Sequence, residues 1–290
     1  MTKATLVPMV LVRDGHDIGV IPVLLRRRGM FTTLGCVPFP YCGPLVPAED
    51  LDECLDLLAR RARRWGVIRM TVQFSPGSAV DETSLAGHGF EVARDVTYVI
   101  DTSSDLDVLW SRLTSESRRR VRLTEKNGIT VTTALPPGTL EDFERQVFTE
   151  RGDRSGYDGG LTPHLPLLTG PDLRIRATAA VRDNEVLGAL VTLAHGSETL
   201  GWMGGVFPRH RNTHAGYALY WDAIRWSHEI GARRLDTVGA PNEGIARFKR
   251  QFGAVAQEFV TSRKDSRTGS LVYGARRRLS TPGTNRGPLT

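Results

Sequence analysis

Cysteine is scarce in this chain of 290 residues, which has only Cys36, Cys42 and Cys54. Three cysteines do not make an even set for disulfides, and their spacing contains no closely spaced metal-binding pair. We therefore expect them to be small buried residues. The sequence predicts no metal site.

Long apolar runs are also missing, since no stretch approaches the length of a membrane span. The first residues, 1–8, lack the charged and apolar regions of a signal peptide. We therefore expect a cytoplasmic protein without a membrane span. We also expect a monomer.

Lysine is rare among the basic residues, because only four of the 38 are lysine and the others are arginine. The formal net charge is +6, and the isoelectric point is about 9.5. Basic surfaces attract phosphate backbones at long range. Solvated helix faces would give the same runs, so both interpretations stay open for any single cluster. The arginine clusters lie at 26–28, 60–64, 118–122, 209–211, 247–250 and 276–278.

The sequence contains no nucleophile elbow, and no cysteine or serine has a recognisable histidine partner. A covalent intermediate on the enzyme is therefore not expected.

The most informative segment that is present runs from Gly239 to Gly253. Asn242 and the preceding proline predict a turn and a helix N-cap, and Gly253 predicts the end of that helix. Arg247, Lys249 and Arg250 cannot all point into a core, so at least one should meet a phosphate or carboxylate at a surface. Phe248 beside them would suit a stacked base.

The same order of elements occurs twice in the chain. A helix at 51–65, a strand at 68–74, a short helix ending at Gly89 and a strand at 91–100 form the first copy. The second copy has a helix at 217–230, a strand at 233–238, the basic helix ending at Gly253 and a strand at 254–261. We therefore predict two related α/β domains, at 1–105 and 106–275, each with a mixed sheet flanked by helices.

Other patterns complete this prediction. Residues 4–12 and 19–25 predict a hairpin, and the Pro- and Gly-rich stretch 31–47 predicts an ordered loop. One connecting helix is expected at 106–121. The chain past Tyr273 should be disordered, which gives a tail at 276–290.

This order of elements is that of the GNAT acyltransferase fold, here present twice. Tandem GNAT domains with a Phe-Lys pair in the last helix of the second copy resemble the FemABX family of aminoacyl-tRNA-dependent peptidyltransferases. The resemblance covers nearly the whole chain and rests on the following stretches: Pro44-Leu45, Leu109-Trp110 before the arginine series, Tyr220-Trp221-Asp222-Ala223-Ile224, and residues 245–253 with Phe248-Lys249.

The resemblance implies transfer of an amino acid from a charged tRNA to an amine, with aminoacyl-tRNA as co-substrate and no other cofactor. Phe248 and Lys249 would then engage the donor end, and we expect Lys249 to be a surface residue whose replacement by alanine reduces transfer with little effect on folding. Arg247, Arg250, Arg209 and Arg211 are candidates for tRNA phosphates. The implied acceptor segment contains Arg151, Arg154 and Tyr157, with Asp153 and Asp158 as candidates for orienting the amine.

The acceptor implied by the resemblance is a peptide or nucleoside metabolite, or a peptidoglycan precursor. The chain lacks the long helical arm that some cell-wall enzymes of the family carry, which favours a small acceptor.

Two other functions remain open. A GNAT N-acyltransferase would use acetyl-CoA, and its glycine-rich loop would correspond to Arg211-Asn-Thr-His214-Ala-Gly216, where histidine replaces the first glycine. A noncatalytic RNA-binding module is the third hypothesis.

Overall fold

The computed structural model describes residues 3–35, 40–150, 169–240 and 242–279. The strands are β1 Lys3–Arg13, β2 His16–Arg28, β3 Phe31–Gly35, β4 Val67–Gln73, β5 Glu91–Asp101, β6 Thr130–Thr132, β7 Leu173–Arg182, β8 Glu185–His195, β9 Glu198–Val206, β10 Arg234–Gly239 and β11 Val255–Asp265. The helices are α1 Leu51–Arg64, α2 Glu82–Gly87, α3 Leu106–Arg112, α4 Ser115–Lys126, α5 Thr139–Glu150, α6 Ala215–Glu229, α7 Glu243–Arg250 and α8 Arg267–Leu279, with 3-10 helices at Ala48–Asp50 and Pro208–Thr213.

The chain forms two compact units. The N-terminal unit contains Met1–Val96 together with Gln257–Thr290, and the C-terminal unit contains Thr97–Ala256. The predicted limits divide the chain once, between residues 105 and 106. The compact units divide it twice, first within β5 and again near the start of β11.

The strands of the N-terminal unit follow the order β1-β2-β3-β4-β11. The predicted hairpin is confirmed, because β1 pairs antiparallel with β2 around Asp14 and Gly15, both of which have positive φ. β3 and β4 are parallel, and β11 is antiparallel to β4. The apolar face of α1 packs on this sheet through buried residues that include Leu55 and Leu58, as expected for an amphipathic surface helix.

The strands of the C-terminal unit follow the order β5-β10-β9-β8-β7-β6. Among the described strands of this unit, β9 and β10 are parallel and the other neighbouring pairs are antiparallel. α6 lies in the connection between β9 and β10. Leu219 and Ile224 of α6 are buried, as is Leu235 of β10. This helix is therefore the central support of the unit.

The predicted duplication is present in the element order, because α1-β4-α2-β5 and α6-β10-α7-β11 repeat the same sequence of helix and strand. The last strands are exchanged. Residues 97–101 of β5 pair with β10 in the C-terminal unit, whereas β11 pairs with β4 in the N-terminal unit.

Three local predictions were wrong. Residues 31–35 form β3 rather than loop, because they pair with both β2 and β4. The single helix predicted at 106–121 is divided into α3 and α4, because Leu113 is extended and the Thr114 side chain caps α4 by accepting from the Ser117 amide.

The third concerns the tail. α8 extends to Leu279, so the first four residues of the expected disordered segment are helical. The Arg69 guanidinium lies 3.3 Å from the ring centroid of Tyr273, and this contact connects α8 to β4. Residues 280–290 lie outside the described part of the chain.

Candidate functional site

The pairing of the two parallel strands of the C-terminal unit stops partway along their length. β9 and β10 are in register from Glu198 and Arg234 as far as Leu200 and Asp236. β9 continues to Val206 and β10 to Gly239, but no further pairs join these two strands. The strands therefore form a fork at their carboxyl ends, where open α/β sheets commonly bind ligands.

Both strands are irregular at this fork. Val191 and Thr192 of β8 oppose Met203 and Gly201, so Trp202 is an extra residue in β9. β10 has a second irregularity against β5 between Asp236 and Gly239. Bulges of this kind change the direction of backbone groups and occur frequently beside active sites.

The bulge in β10 contains a strained residue. Val238 has a φ of 65°, which is unfavourable for a β-branched side chain. Asp236 stabilises this conformation, because its Oδ1 accepts hydrogen bonds from the Val238 amide at 2.6 Å and from the Thr97 hydroxyl at 2.5 Å.

The Lys249 ammonium is bound at this bulge. Its Nζ donates to three successive carbonyl oxygens of β10, those of Thr237 at 2.5 Å, Val238 at 2.9 Å and Gly239 at 2.7 Å. An ammonium has three donors. The contacts to β10 therefore use all of them.

Burial lowers the pKa of Lys249 to about 8, and the negative charge of Asp236 opposes this shift. The three carbonyl acceptors also favour the charged form. The fork thus has a positive charge in a poorly solvated position, where electrostatic interactions are stronger than in water.

Lys249 was expected at the surface, where its removal would cost little stability, and this expectation was wrong. The side chain is only 3% exposed. The sequence showed a lysine between two arginines but not the bulge in β10, which supplies the carbonyl acceptors that make burial of the ammonium favourable.

Phe248 belongs to an aromatic cluster between α6 and α7. Its ring centroid lies 5.1 Å from Tyr217, 4.9 Å from Tyr220 and 5.2 Å from Phe252, in edge-on geometries. Burial raises the pKa of both tyrosines. The half-buried ring therefore packs against the aromatic side chains of α6. Stacking on a base stays a prediction and would use the exposed part of the ring.

The two arginines of α7 are at the surface, as predicted for at least one cation of this helix. Arg247 and Arg250 are exposed. Arg250 pairs with Glu243 in the first turn of α7, and its guanidinium lies 5.8 Å from the ring centroid of Tyr98. The helix begins as expected, with the Asn242 side chain accepting from the Ile245 amide at 3.0 Å.

Arg209 and Arg211 lie in the 3-10 helix that precedes α6. Both are exposed. Arg209 donates to His210 at 2.9 Å, and its guanidinium lies 5.1 Å from the ring centroid of Phe207. These positions suit contacts with an external anion, and the assignment to tRNA phosphates stays a prediction.

A further cluster at the start of α6 was not assigned from the sequence. Glu116 binds both Arg119 and Arg120, and these guanidinium groups lower the pKa of its carboxyl to about 2. Arg120 in turn contacts His214, the residue before α6. The arginine run in α4 was visible in the sequence. Its contact with His214 was not, because Arg120 and His214 are 94 residues apart along the chain.

The predicted acceptor residues Arg151, Arg154 and Tyr157, with Asp153 and Asp158, lie outside the described residues. Within the described ranges, no group of three or more His, Cys, Asp or Glu side chains could hold a metal ion. In the same ranges, no helix has the length and apolar character required to cross a membrane.

Residues 111–250 match the family model of the acetyltransferase (GNAT) domain. No curated protein matches the sequence. The match includes the fork, α6 and all of α7.

Several solved structures have a similar fold at low sequence identity. FemX is 15% identical, with a TM-score of 0.65 over 89% of this chain and 88% of that one. The C-terminal domain of a putative lysylphosphatidylglycerol synthetase from Agrobacterium fabrum is 12% identical, with a TM-score of 0.63 over 97% and 91%. A tandem GNAT protein from the clavulanic acid biosynthesis pathway is 16% identical, with a TM-score of 0.59 over 90% and 83%.

These similarities agree with the two copies seen in the element order. The chain has a mixed α/β fold of tandem GNAT-like domains, as predicted.

Proposed function

We propose that this protein is an acyltransferase that moves the amino acid of a charged tRNA onto an amine acceptor. The observation that carries the proposal is the buried Lys249 ammonium at the fork between β9 and β10. The fold similarity to FemX supports the choice of donor, and so does the Phe248-Lys249 pair on which the family resemblance rests.

In this reaction the free amine attacks the carbonyl carbon of the aminoacyl ester and forms a tetrahedral intermediate. The C–O bond to the tRNA then breaks, the amide forms, and a proton from the amine passes to the departing 3′ oxygen. The ester is already activated, so alignment and stabilisation of the oxyanion are the main requirements.

Lys249 meets the second requirement indirectly. Because its three donors are used by Thr237, Val238 and Gly239, the ammonium would have to release a carbonyl before it could bind an oxyanion. We therefore assign Lys249 two roles that keep these bonds. It fixes the backbone of β10 at the fork, and its charge stabilises negative charge that develops nearby.

For the acceptor we favour a small amine over a peptidoglycan precursor, because the sequence lacks the long helical arm that some cell-wall enzymes of the family carry. Its contacts with Arg151, Arg154 and Tyr157 remain part of this proposal. Arg247, Arg250, Arg209 and Arg211 would contact phosphates, and their exposure is consistent with that role.

The test is a transfer assay with a pool of radiolabelled aminoacyl-tRNAs, with acetyl-CoA in parallel and an extract of the source cells as acceptor. We expect RNase-sensitive transfer of an amino acid into a product. Lys249→Met should reduce this transfer strongly, whereas Lys126→Met, the same substitution at an exposed lysine of α4, should retain most of kcat. Label that moves only from acetyl-CoA would reject the tRNA donor.

Use of acyl-CoA is the second candidate, and the match of residues 111–250 to an acetyltransferase domain favours it. The segment that would bind the pyrophosphate, 211–216, leads directly into α6. A CoA enzyme should show little salt dependence of donor affinity, whereas tRNA binding should weaken steeply with salt.

A further inference from the structure

The N-terminus of α6 is the place where the fold could offer backbone amides to an anion, since the first amides of a helix have no partner within it. Here two of these amides are already used. The Ala215 amide donates to the Thr213 hydroxyl at 3.3 Å, and the Tyr217 amide donates to the His214 carbonyl at 2.8 Å.

His214 places a large side chain at this position. Its φ is 65°, in the left-handed region where glycine is most favourable. In the glycine-containing pattern of acyl-CoA enzymes, this is the position of the first glycine. The chain therefore keeps a backbone conformation that glycine would adopt easily, and adds an imidazole ring.

Arg120 holds this ring. Its Nη1 lies 2.9 Å from Nδ1 of His214 and also contacts Nε2. Burial lowers the pKa of His214, and the charges of Arg120 and Arg119 lower it further. The neutral imidazole can therefore accept a hydrogen bond from the guanidinium.

Glu116 binds Arg119 and Arg120 and holds the Arg120 guanidinium at the end opposite His214. It accepts from Nε of Arg120 at 2.5 Å, and from Nε and Nη2 of Arg119 at 2.9 and 2.8 Å. The Arg120 guanidinium is thus bound between a carboxylate and an imidazole. These contacts reduce its availability to an external diphosphate.

Phe248 lies close to Gly216, the second residue of α6. A Cβ placed on Gly216 would lie 3.6 Å from Cζ of Phe248 and 3.2 Å from Cγ2 of Val206. His214 and Phe248 therefore both lie at the start of α6, and Arg120 of α4 contacts the imidazole.

We infer that His214, held by Arg120, closes the N-terminus of α6 against the diphosphate of coenzyme A and is a specificity-determining residue of the donor site. The inference rests on the proposed function, because it explains why a GNAT-like site would accept an aminoacyl ester of tRNA instead of an acyl-CoA. Removal of the ring should uncover the backbone and free the Arg120 guanidinium for a phosphate.

The experiment measures coenzyme A binding to the full chain by isothermal titration calorimetry. His214→Gly is suitable because glycine adopts the same φ without strain. We expect at least a tenfold gain in affinity for coenzyme A over the wild type, by the general strength of charge-assisted phosphate contacts. The double variant His214→Gly, Arg120→Gln should lose most of that gain.

His214→Asn serves as a second variant if the glycine variant does not fold, because asparagine also tolerates a positive φ and is shorter than histidine. Equal coenzyme A affinity in the wild type and the folded variants would overturn the inference. Transfer from aminoacyl-tRNA is measured separately on the wild type. Its absence would reject the proposed function but would leave a gain of coenzyme A binding as support for the closure by His214.

Discussion

The two copies of the helix-strand-helix-strand order differ most at one pair of positions. Leu85 in α2 and Lys249 in α7 each lie four residues before a glycine with positive φ, Gly89 and Gly253. Both side chains are buried, Leu85 completely and Lys249 to 3% exposure. One copy therefore places a methyl-bearing side chain where the other places an ammonium.

The strands that precede Leu85 and Lys249 also differ in their backbone conformation. The strand before α2, β4, has no described residue with positive φ, whereas the strand before α7 contains Val238 at 65°. Near the end of β4 lies a cavity of about 380 Å³, lined by Leu51, Phe74 and residues 44–48 and 78–80.

The helices that precede these strands also differ in charge. The first turn of α1 contains Asp52 and Glu53, whereas the start of α6 has no acidic residue and contacts Arg120 through His214. Because negative charge is favoured at a helix N-terminus, α1 satisfies this preference with its own side chains. One scaffold can therefore hold an apolar or a charged group at this position, depending on a few side chains and one bulge.

The largest expected effect comes from making the first copy resemble the second. Leu85→Lys would bury an ammonium without the carbonyl acceptors of a bulged strand, and should lower the free energy of unfolding by about 4 kcal/mol. Urea denaturation measures this. Leu271→Lys is the control, because Leu271 is 76% exposed and its change should stay within about 0.5 kcal/mol. A stable Leu85→Lys variant would show that the first copy also offers acceptors.

The reverse change should cost less. Lys249→Met keeps most of the length of the side chain but removes the donors of three carbonyls, and we expect a loss of about 2 to 3 kcal/mol in the free energy of unfolding. The gain in apolar burial offsets part of the loss. An unchanged urea midpoint would mean that the carbonyls of β10 find other donors, and that Lys249 does not fix the bulge.

The pH dependence of stability distinguishes the copies further. The pKa of Lys249 is lowered to about 8 in the folded protein, while in the unfolded chain it is about 10.4. Between these values the unfolded state binds more protons, so this group makes stability rise with pH. We expect the free energy of unfolding to rise by about 1 to 2 kcal/mol over this pH range. The rise is limited because the three carbonyl acceptors favour the charged ammonium and oppose the lowering of its pKa. The rise should be absent in Lys249→Met, and a parallel pH profile of the two proteins would contradict the assignment.

Strain in the bulge gives a smaller effect. Val238→Gly relieves the positive φ of a β-branched residue but adds flexibility to the unfolded chain, so we expect a net stabilisation of about 0.5 to 1 kcal/mol. Thermal unfolding detects this change. Val72→Gly in β4 is the matched control, and it should destabilise because Val72 is buried and unstrained. Destabilisation by Val238→Gly would show that packing of the valine outweighs its strain.

The smallest effect on stability is expected at the surface of α7. Arg250→Ala removes an exposed pair with Glu243, which should change the free energy of unfolding by no more than about 0.5 kcal/mol. If Arg250 contacts a tRNA phosphate, the salt dependence of tRNA binding should lose about one unit of slope. An unchanged slope in a filter-binding titration would remove Arg250 from the tRNA contacts.

Much of the fold could be predicted from the chain because its signals are local. The N-cap Asn242, the stop at Gly253 and the hairpin turn at Asp14-Gly15 act through neighbouring residues. The repeated order of helix and strand followed from the same signals. The break at Thr114 was also local, but the arginine run after it continued the helical pattern and concealed the cap.

The candidate site was predicted only in part. The sequence singled out Phe248 and Lys249 and the basic face of α7, and it noted the histidine at position 214. It did not indicate which cation is buried, because that depends on the carbonyls of a strand bulge. Nor did it indicate Asp236 and Thr97, which meet across 139 residues of sequence.

The two-copy α/β organisation, the caps and the turns can be read along the chain, because periodicity and local hydrogen bonding depend on residues close in sequence. The three-dimensional fold adds the exchange of the last strands, the fork between β9 and β10, and the burial of Lys249 against the carbonyls of residues 237–239. These features depend on pairing between distant strands, where one extra residue redirects three carbonyls onto a single ammonium.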